Sequence, residues 1–142
     1  RDGVAQGATL ALGGNQVLAE TGGWFVEPTI FTDVTADMSI AREEIFGPVL
    51  SVLGFETEAE AVALANDSAY GLAASIYTRD LDVAHRMARA VRAGTVSVNC
   101  YSEGDVTTPF SGFRTSGFGG YDKGLEALDQ YTQLKTTWFA LG

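Results

Sequence analysis

The sequence predicts an α/β fold built on a parallel sheet, and three observations carry that prediction. Apolar runs suited to strands, residues 49–55, 73–78 and Thr95–Val98, alternate with two segments of helical spacing. The connections between them are short, so the strands are expected to run parallel through right-handed helical crossovers. Finally, 142 residues at 46% hydrophobic content are enough for one globular core without disulfide or metal support. In such a sheet, ligands gather at the carboxyl ends of the strands.

Each element has its own justification. Residues 1–7 read as the end of a helix. Residues 9–12 form a short apolar strand closed by Gly13-Gly14, and residues 15–23 form a surface loop. Residues 24–34 read as extended, with Pro28 marking an edge or bend, and residues 37–42 as a single helical turn. Thr57 with Glu60 three residues on is a capping box that opens a helix running to about Asn66. Asp80 caps a second helix whose apolar positions are Leu81, Ala84, Ala88 and Val91. Residues 99–120 break the rhythm with glycines and Pro109, but Phe110, Phe113 and Phe118 argue against disorder. Asp122 is expected to cap a last helix through Gln130. Residues 132–141 alternate with both faces partly apolar, which predicts a strand covered on both sides by a subunit contact.

Charge and composition exclude several classes of function. Nine basic against eighteen acidic residues give a net charge of −9, which repels nucleic acid and anionic membrane surfaces. A single Cys100 and a single His85 leave no zinc cluster and no disulfide framework, so a reducing, cytoplasmic setting is expected. No apolar run approaches the roughly 20 residues of a membrane helix. With Arg1-Asp2-Gly3 at its start, the chain reads as cut from something longer.

The central motif is Glu43-Glu44-Ile45-Phe46-Gly47-Pro48-Val49. Its Gly-Pro break at the mouth of a strand presents Glu44 and Phe46 together. A carboxylate accepts two hydrogen bonds from a vicinal diol, and a phenyl face shields a flat heterocycle, which together describe a seat for a nucleotide ribose and base. The alternative is a solvated acidic turn. Glu103 and Asp105 suit a cationic or hydroxylated ligand, again against a solvated alternative. Cys100 reads as a small buried hydrophobe rather than a nucleophile, and His85 as a surface residue. Residues 112–120 lack the Lys-Ser/Thr ending of a phosphate-binding loop.

Several separated motifs then agree. Glu43-Glu44-Ile45-Phe46-Gly47-Pro48, Tyr70-Gly71-Leu72-Ala73, Ala93-Gly94-Thr95-Val96, Val98-Asn99, Pro109-Phe110 and Ser116-Gly117 follow one another in an order and spacing that resembles the carboxyl-terminal part of NAD(P)-dependent aldehyde dehydrogenases. The resemblance covers essentially all 142 residues. Residues 99–110 look most like the branch that oxidises γ-glutamyl-γ-aminobutyraldehyde and related aminoaldehydes.

The resemblance implies an oxidoreductase that converts an aldehyde to a carboxylic acid with NAD or NADP. A cysteine nucleophile attacks the aldehyde, and an acidic base activates water. Those residues and the dinucleotide-binding region lie upstream in the family, so no catalytic residue and no metal ligand is assigned here. This chain alone is expected to be inactive. Glu44 matches the glutamate that holds the nicotinamide ribose, and Phe46 the aromatic that packs by the nicotinamide. Phe110 matches a wall of the aldehyde tunnel, with Glu103, Gly104 and Asp105 in the loop that varies with substrate. Cys100 matches a position that is not the nucleophile.

Ser111 and Phe113 depart from the family's glycine and tyrosine, as does Gly120-Tyr121 from its Arg-Glu. Residues 1–131 then correspond to an incomplete carboxyl-terminal part of the catalytic domain and residues 132–142 to an oligomerisation strand of a homo-oligomer. A non-catalytic self-association module is the alternative from another class.

Overall fold

Local sequence signals explain most elements of the computed structural model, which describes residues 1–101 and 104–142. The chain divides into two compact units, Arg1–Ser68 and Ala69–Gly142.

The first unit opens with α1 (Asp2–Ala5) and β1 (Thr9–Leu12), followed by β2 (Gln16–Val17) and a 3-10 turn at Ala19–Thr21. It continues through β3 (Phe25–Val26), β4 (Thr29–Thr32), α2 (Ser39–Arg42), β5 (Val49–Ser51) and α3 (Glu58–Asn66). Pro28 lies between β3 and β4, at the expected break. β4 is the central strand: it runs antiparallel to β1, with Thr9 opposite Thr32, and parallel to β5, with Thr29 opposite Val49. β2 and β3 form a separate antiparallel pair.

Alternation along β4 buries Thr29 and Phe31. Phe31 joins Ala8, Val34 and Met38 in the core, against which Ile40, Ala41, Val49 and Leu53 pack. The buried Thr29 hydroxyl accepts from the Gly14 N–H at 2.9 Å and donates to the Glu27 carbonyl at 2.8 Å, so its burial leaves no polar atom unsatisfied. At the start of α3, the Thr57 hydroxyl accepts from the Glu60 N–H at 3.1 Å. The Glu60 carboxylate reaches back to the Glu56 N–H at 2.8 Å, one residue beyond the usual capping-box partner.

The second unit holds β6 (Ala73–Ile76), α4 (Leu81–Ala90) and β7 (Thr95–Val98), with β6 and β7 parallel from Ala73 opposite Thr95 to Ile76 opposite Val98. Asp80 caps α4 as predicted: one carboxylate oxygen accepts from the N–H groups of Asp82 and Val83 at 2.8 and 3.1 Å. Ala84 is buried in α4, but Leu81 is 70% exposed despite its helical spacing.

Four expectations are corrected. The three strands 49–55, 73–78 and 95–98 occur as members of two parallel pairs, β4 with β5 and β6 with β7, rather than as one ladder. Periodicity identifies a strand but not the edge it pairs with. β5 ends at Ser51, and Gly54 beyond it has no side chain to support a longer strand. The helix expected from Asp122 is a 3-10 segment, Leu125–Tyr131, because Gly124 at φ +68° interrupts the backbone and Asp122 pairs instead with Phe110. Cys100 is exposed: Asn99, at φ +55°, turns the chain out of the sheet before Cys100 can pack. His85 is exposed, as predicted. Residues 132–142 are exposed and form no ladder among the described residues.

Candidate cofactor and substrate sites

Glu44 and Phe46 sit between two anchored elements of the first unit. On one side, Arg42 closes α2 and bonds Asp67 at 2.8 Å. On the other, the Pro48 carbonyl accepts from the Thr29 N–H at 2.8 Å and so fastens the motif to β4. The Ser51 hydroxyl donates to the Ile40 carbonyl at 2.9 Å and closes the base of the loop. Between these anchors Phe46 adopts φ +55°, the left-handed region that a bulky side chain rarely enters, and its ring is 91% exposed. Glu44 is also exposed.

Both side chains border one cavity of about 320 Å³, together with Glu43, Gly47, Val49 and Ser51. No atom lies within 4 Å of where a Gly47 side chain would begin, so the space beside the motif is open. The cavity offers carboxylate acceptors and a bare aromatic face over a backbone fixed at both ends. That set of groups fits a diol, which would donate to a carboxylate, beside a flat ring.

Gly104, Asp105 and Phe110 belong to the second unit, and the Glu103 assignment lies outside the described residues. Asp105 organises its own loop. One of its carboxylate oxygens accepts from the Thr107 N–H at 2.7 Å and from the Thr107 hydroxyl. Those two bonds, the hydroxyl foremost, hold the Asp105 carboxyl below its usual range, with the Thr108 N–H and the charge of Lys123 adding less. Phe110 is half-buried and is pinned by a two-way bridge to Asp122, at 2.6 and 2.7 Å. Lys123 places its ammonium 5.1 Å from the centre of the Phe110 ring.

Three features escaped the sequence reading. Asn99 donates its amide N–H to the Thr78 carbonyl and accepts from the Thr78 N–H, both at 2.9 Å, and so extends the β6–β7 ladder with a side chain. The signal was available: an asparagine directly after a strand tolerates the left-handed conformation and bonds backbone. Gly94 lies so close to residues 111–112 that a side-chain carbon there would fall 1.6 Å from the Ser111 carbonyl oxygen. The Gly71 carbonyl accepts from both Gly94 and Phe113, and the Ser116 hydroxyl accepts from Gly71, which seats loop 111–117 at the amino ends of β6 and β7. The third is Lys123, thirteen residues from the ring that it covers.

Among the described residues, no group of three or more His, Cys, Asp or Glu side chains could hold a metal ion. No helix among them is long and apolar enough to cross a membrane.

Comparison with known proteins shows the family and the fold. The aldehyde dehydrogenase family model matches residues 1–137. The NADP/NAD-dependent aldehyde dehydrogenase PuuC of Escherichia coli is 52% identical over 141 residues, 99% of this chain and 28% of that protein. The aminoacetaldehyde dehydrogenase of Pseudomonas aeruginosa is 57% identical over 120 residues, 84% of this chain and 24% of that protein. An indole-3-acetaldehyde dehydrogenase solved in complex with NAD+ superposes with a TM-score of 0.91 at 58% identity, over 99% of this chain and 28% of its own. The chain thus spans about a quarter of the length of these relatives. With a match from the first residue to the last strand-like segment, the chain belongs to the aldehyde dehydrogenase family.

Proposed function

We propose that this chain forms the carboxyl-terminal part of an enzyme that oxidises an aldehyde to a carboxylic acid with NAD or NADP. Glu44 holds the nicotinamide ribose and Phe46 packs by the nicotinamide ring. The observation that carries the reading is the pairing of these two side chains on one cavity, with Phe46 held in an unfavourable backbone conformation and its ring bare to solvent. Strain of this kind persists where a fixed side-chain direction has a use. The bound dinucleotide supplies the hydride acceptor; the chain's own residues orient it and shield it from water.

On the substrate side, Phe110 forms a wall of the aldehyde channel, and Glu103, Gly104 and Asp105 belong to the loop that meets the far end of the aldehyde. A small aminoaldehyde fits the acidic character of this loop, and the similarity to PuuC and to the aminoacetaldehyde dehydrogenase supports that class. We place residues 132–142 in a contact between subunits of a homo-oligomer, supported by the exposed Leu134, Trp138, Phe139 and Leu141. The net charge of −9 supports a protein without nucleic-acid or membrane partners, and its single cysteine supports a reducing, cytoplasmic setting. Family membership favours this enzymatic reading over a non-catalytic self-association module.

The test is Glu44→Gln in the full-length enzyme. A neutral amide fills the same space but accepts the ribose diol less strongly, a difference of about 1–2 kcal/mol. The single-turnover rate of NADH formation should fall roughly tenfold, more than cofactor affinity does, because the ring is held less well in its reactive pose. An unchanged single-turnover rate would remove Glu44 from the site.

A further inference from the structure

The strap of residues 121–124 lies along the loop that carries Asp105 and Phe110, and three backbone hydrogen bonds bracket Lys123 within it. Phe110 and Asp122 exchange two, at 2.6 and 2.7 Å, and the Gly124 N–H donates to the Val106 carbonyl at 2.9 Å. Between these bonds Lys123 adopts φ +65°, followed by Gly124 at φ +68°. A lysine avoids this region unless its neighbours impose it, so the bonds on either side fix where its side chain leaves the strap. A side-chain carbon at Gly124 would lie 3.0 Å from the Pro109 nitrogen, so the strap presses directly on the Pro109-Phe110 step. The Lys123 ammonium then stands 5.1 Å from the centre of the Phe110 ring, within reach of a cation–π attraction.

The surrounding charge gives this placement a consequence. Residues 99–131 contain five acidic side chains, Glu103, Asp105, Asp122, Glu126 and Asp129, against Arg114 and Lys123. The field of Lys123 reaches Asp105, where it helps to hold the carboxylate in its charged form. One ammonium therefore acts on both the aromatic wall and the acidic loop.

We propose that Lys123 is a specificity-determining positioning residue: by covering one face of Phe110 and facing the acidic loop, it limits how strongly the channel favours positively charged aldehydes. The proposal rests on the reading of Phe110 and Asp105 as the substrate side. Removing the cation frees the ring face and takes its positive field off Asp105, so a cationic aldehyde gains and a neutral one does not. A substitution that merely loosened the strap would weaken both substrates together.

The experiment uses the full-length enzyme with 4-aminobutanal and its uncharged isostere pentanal, and reads the ratio of their kcat/KM values. Lys123→Met keeps the apolar stem and removes the charge; the ratio should rise about three- to fivefold, the range of an exposed charge pair. The rise should shrink between roughly 0.02 and 0.5 M salt, as screening contracts to a few ångströms. Lys123→Arg restores a cation over the ring and should return the ratio to within about twofold of wild type. Lys123→Gln gives a second neutral variant should Met disturb the strap.

A ratio unmoved in both neutral variants while the two kcat/KM values fall in step would overturn the proposal, as would a rise that salt does not reduce. A wild-type ratio below one would sink the aminoaldehyde reading alone, since the change on substitution still decides the role of Lys123. Should neither aldehyde be oxidised, the enzymatic reading fails, and the placement is decided by NMR of 13C-dimethylated lysines. An upfield-shifted Lys123 resonance that returns to the random-coil position in Phe110→Leu supports it, and an unshifted resonance rejects it.

Discussion

Replacing Phe46 by glycine separates function from stability. At φ +55° the phenylalanine carries a left-handed backbone strain of about 1–2 kcal/mol, which glycine removes. Glycine gives back roughly 0.5–1 kcal/mol through the greater freedom of the unfolded chain. The ring is 91% exposed, so only about 20 Å² of its surface leaves water, worth on the order of 0.5 kcal/mol. These opposing effects nearly cancel, and Phe46→Gly should leave the stability of the 142-residue chain within about 1 kcal/mol of wild type. Phe31→Ala is the control: that ring is 8% exposed in the core of the first unit, and its loss should cost about 3–5 kcal/mol. Urea denaturation followed by far-UV circular dichroism reads both; Trp24 and Trp138 are too exposed to report on folding. In the full-length enzyme, Phe46→Gly should slow single-turnover hydride transfer roughly tenfold, because the nicotinamide loses the face that aligns it. A stability loss above about 2 kcal/mol, or a transfer rate within twofold of wild type, would refute the assignment of Phe46 as a ring held out for a ligand.

Gly94→Ala should destabilise the second unit by about 3 kcal/mol or more, since its methyl would overlap the Ser111 carbonyl oxygen; loss of β6–β7 amide protection in hydrogen exchange checks this. The Asp105 carboxyl has its folded pKa depressed from 3.8, so the turn it holds with Thr107 is at full strength above that value and is lost as pH falls through the lower folded value. The Thr107 amide proton should therefore keep its hydrogen-bonded chemical shift at neutral pH and lose it only in acid below pH 3.8; a transition near neutrality would assign the bond to another group. Trp138→Lys should weaken self-association measured by light scattering, because it places a charge in the proposed subunit contact; a mass unchanged by the substitution would move that contact elsewhere.

The parts of the fold that sequence made legible are those that a few adjacent residues decide. Thr57 and Asp80 cap their helices because a hydroxyl or carboxylate meets an N–H two or three residues on, and no distant partner is involved. Pro28 breaks the extended stretch for an equally local reason. Pairing is different: β5 takes β4 as its parallel neighbour, twenty residues back, and nothing in residues 49–51 distinguishes that edge from the one offered by β6. The helix expected from Asp122 failed at the same boundary, because the Phe110 backbone claims Asp122 and Gly124 turns left-handed beside it.

The candidate site divides along the same line. Glu44 and Phe46 are two residues apart on one short loop, so the motif alone could announce the pair. The residues proposed for the aldehyde side, Asp105, Phe110 and Lys123, lie in a segment held by the Thr78–Asn99 amide bonds and the Phe110–Asp122 bridge. None of these bonds has a periodicity to betray it. Each also has an exposed partner that accepts substitution without disturbing a buried core, as the exposure of Asn99, Asp105 and Lys123's neighbour Asp122 shows. On the proposed reading, selectivity in this segment would reside in contacts that can change singly, whereas the Glu44–Phe46 motif is tied to the central strand through the Pro48–Thr29 bond. A change of aldehyde preference should accordingly map to residues 99–124, and a loss of cofactor alignment to residues 42–51.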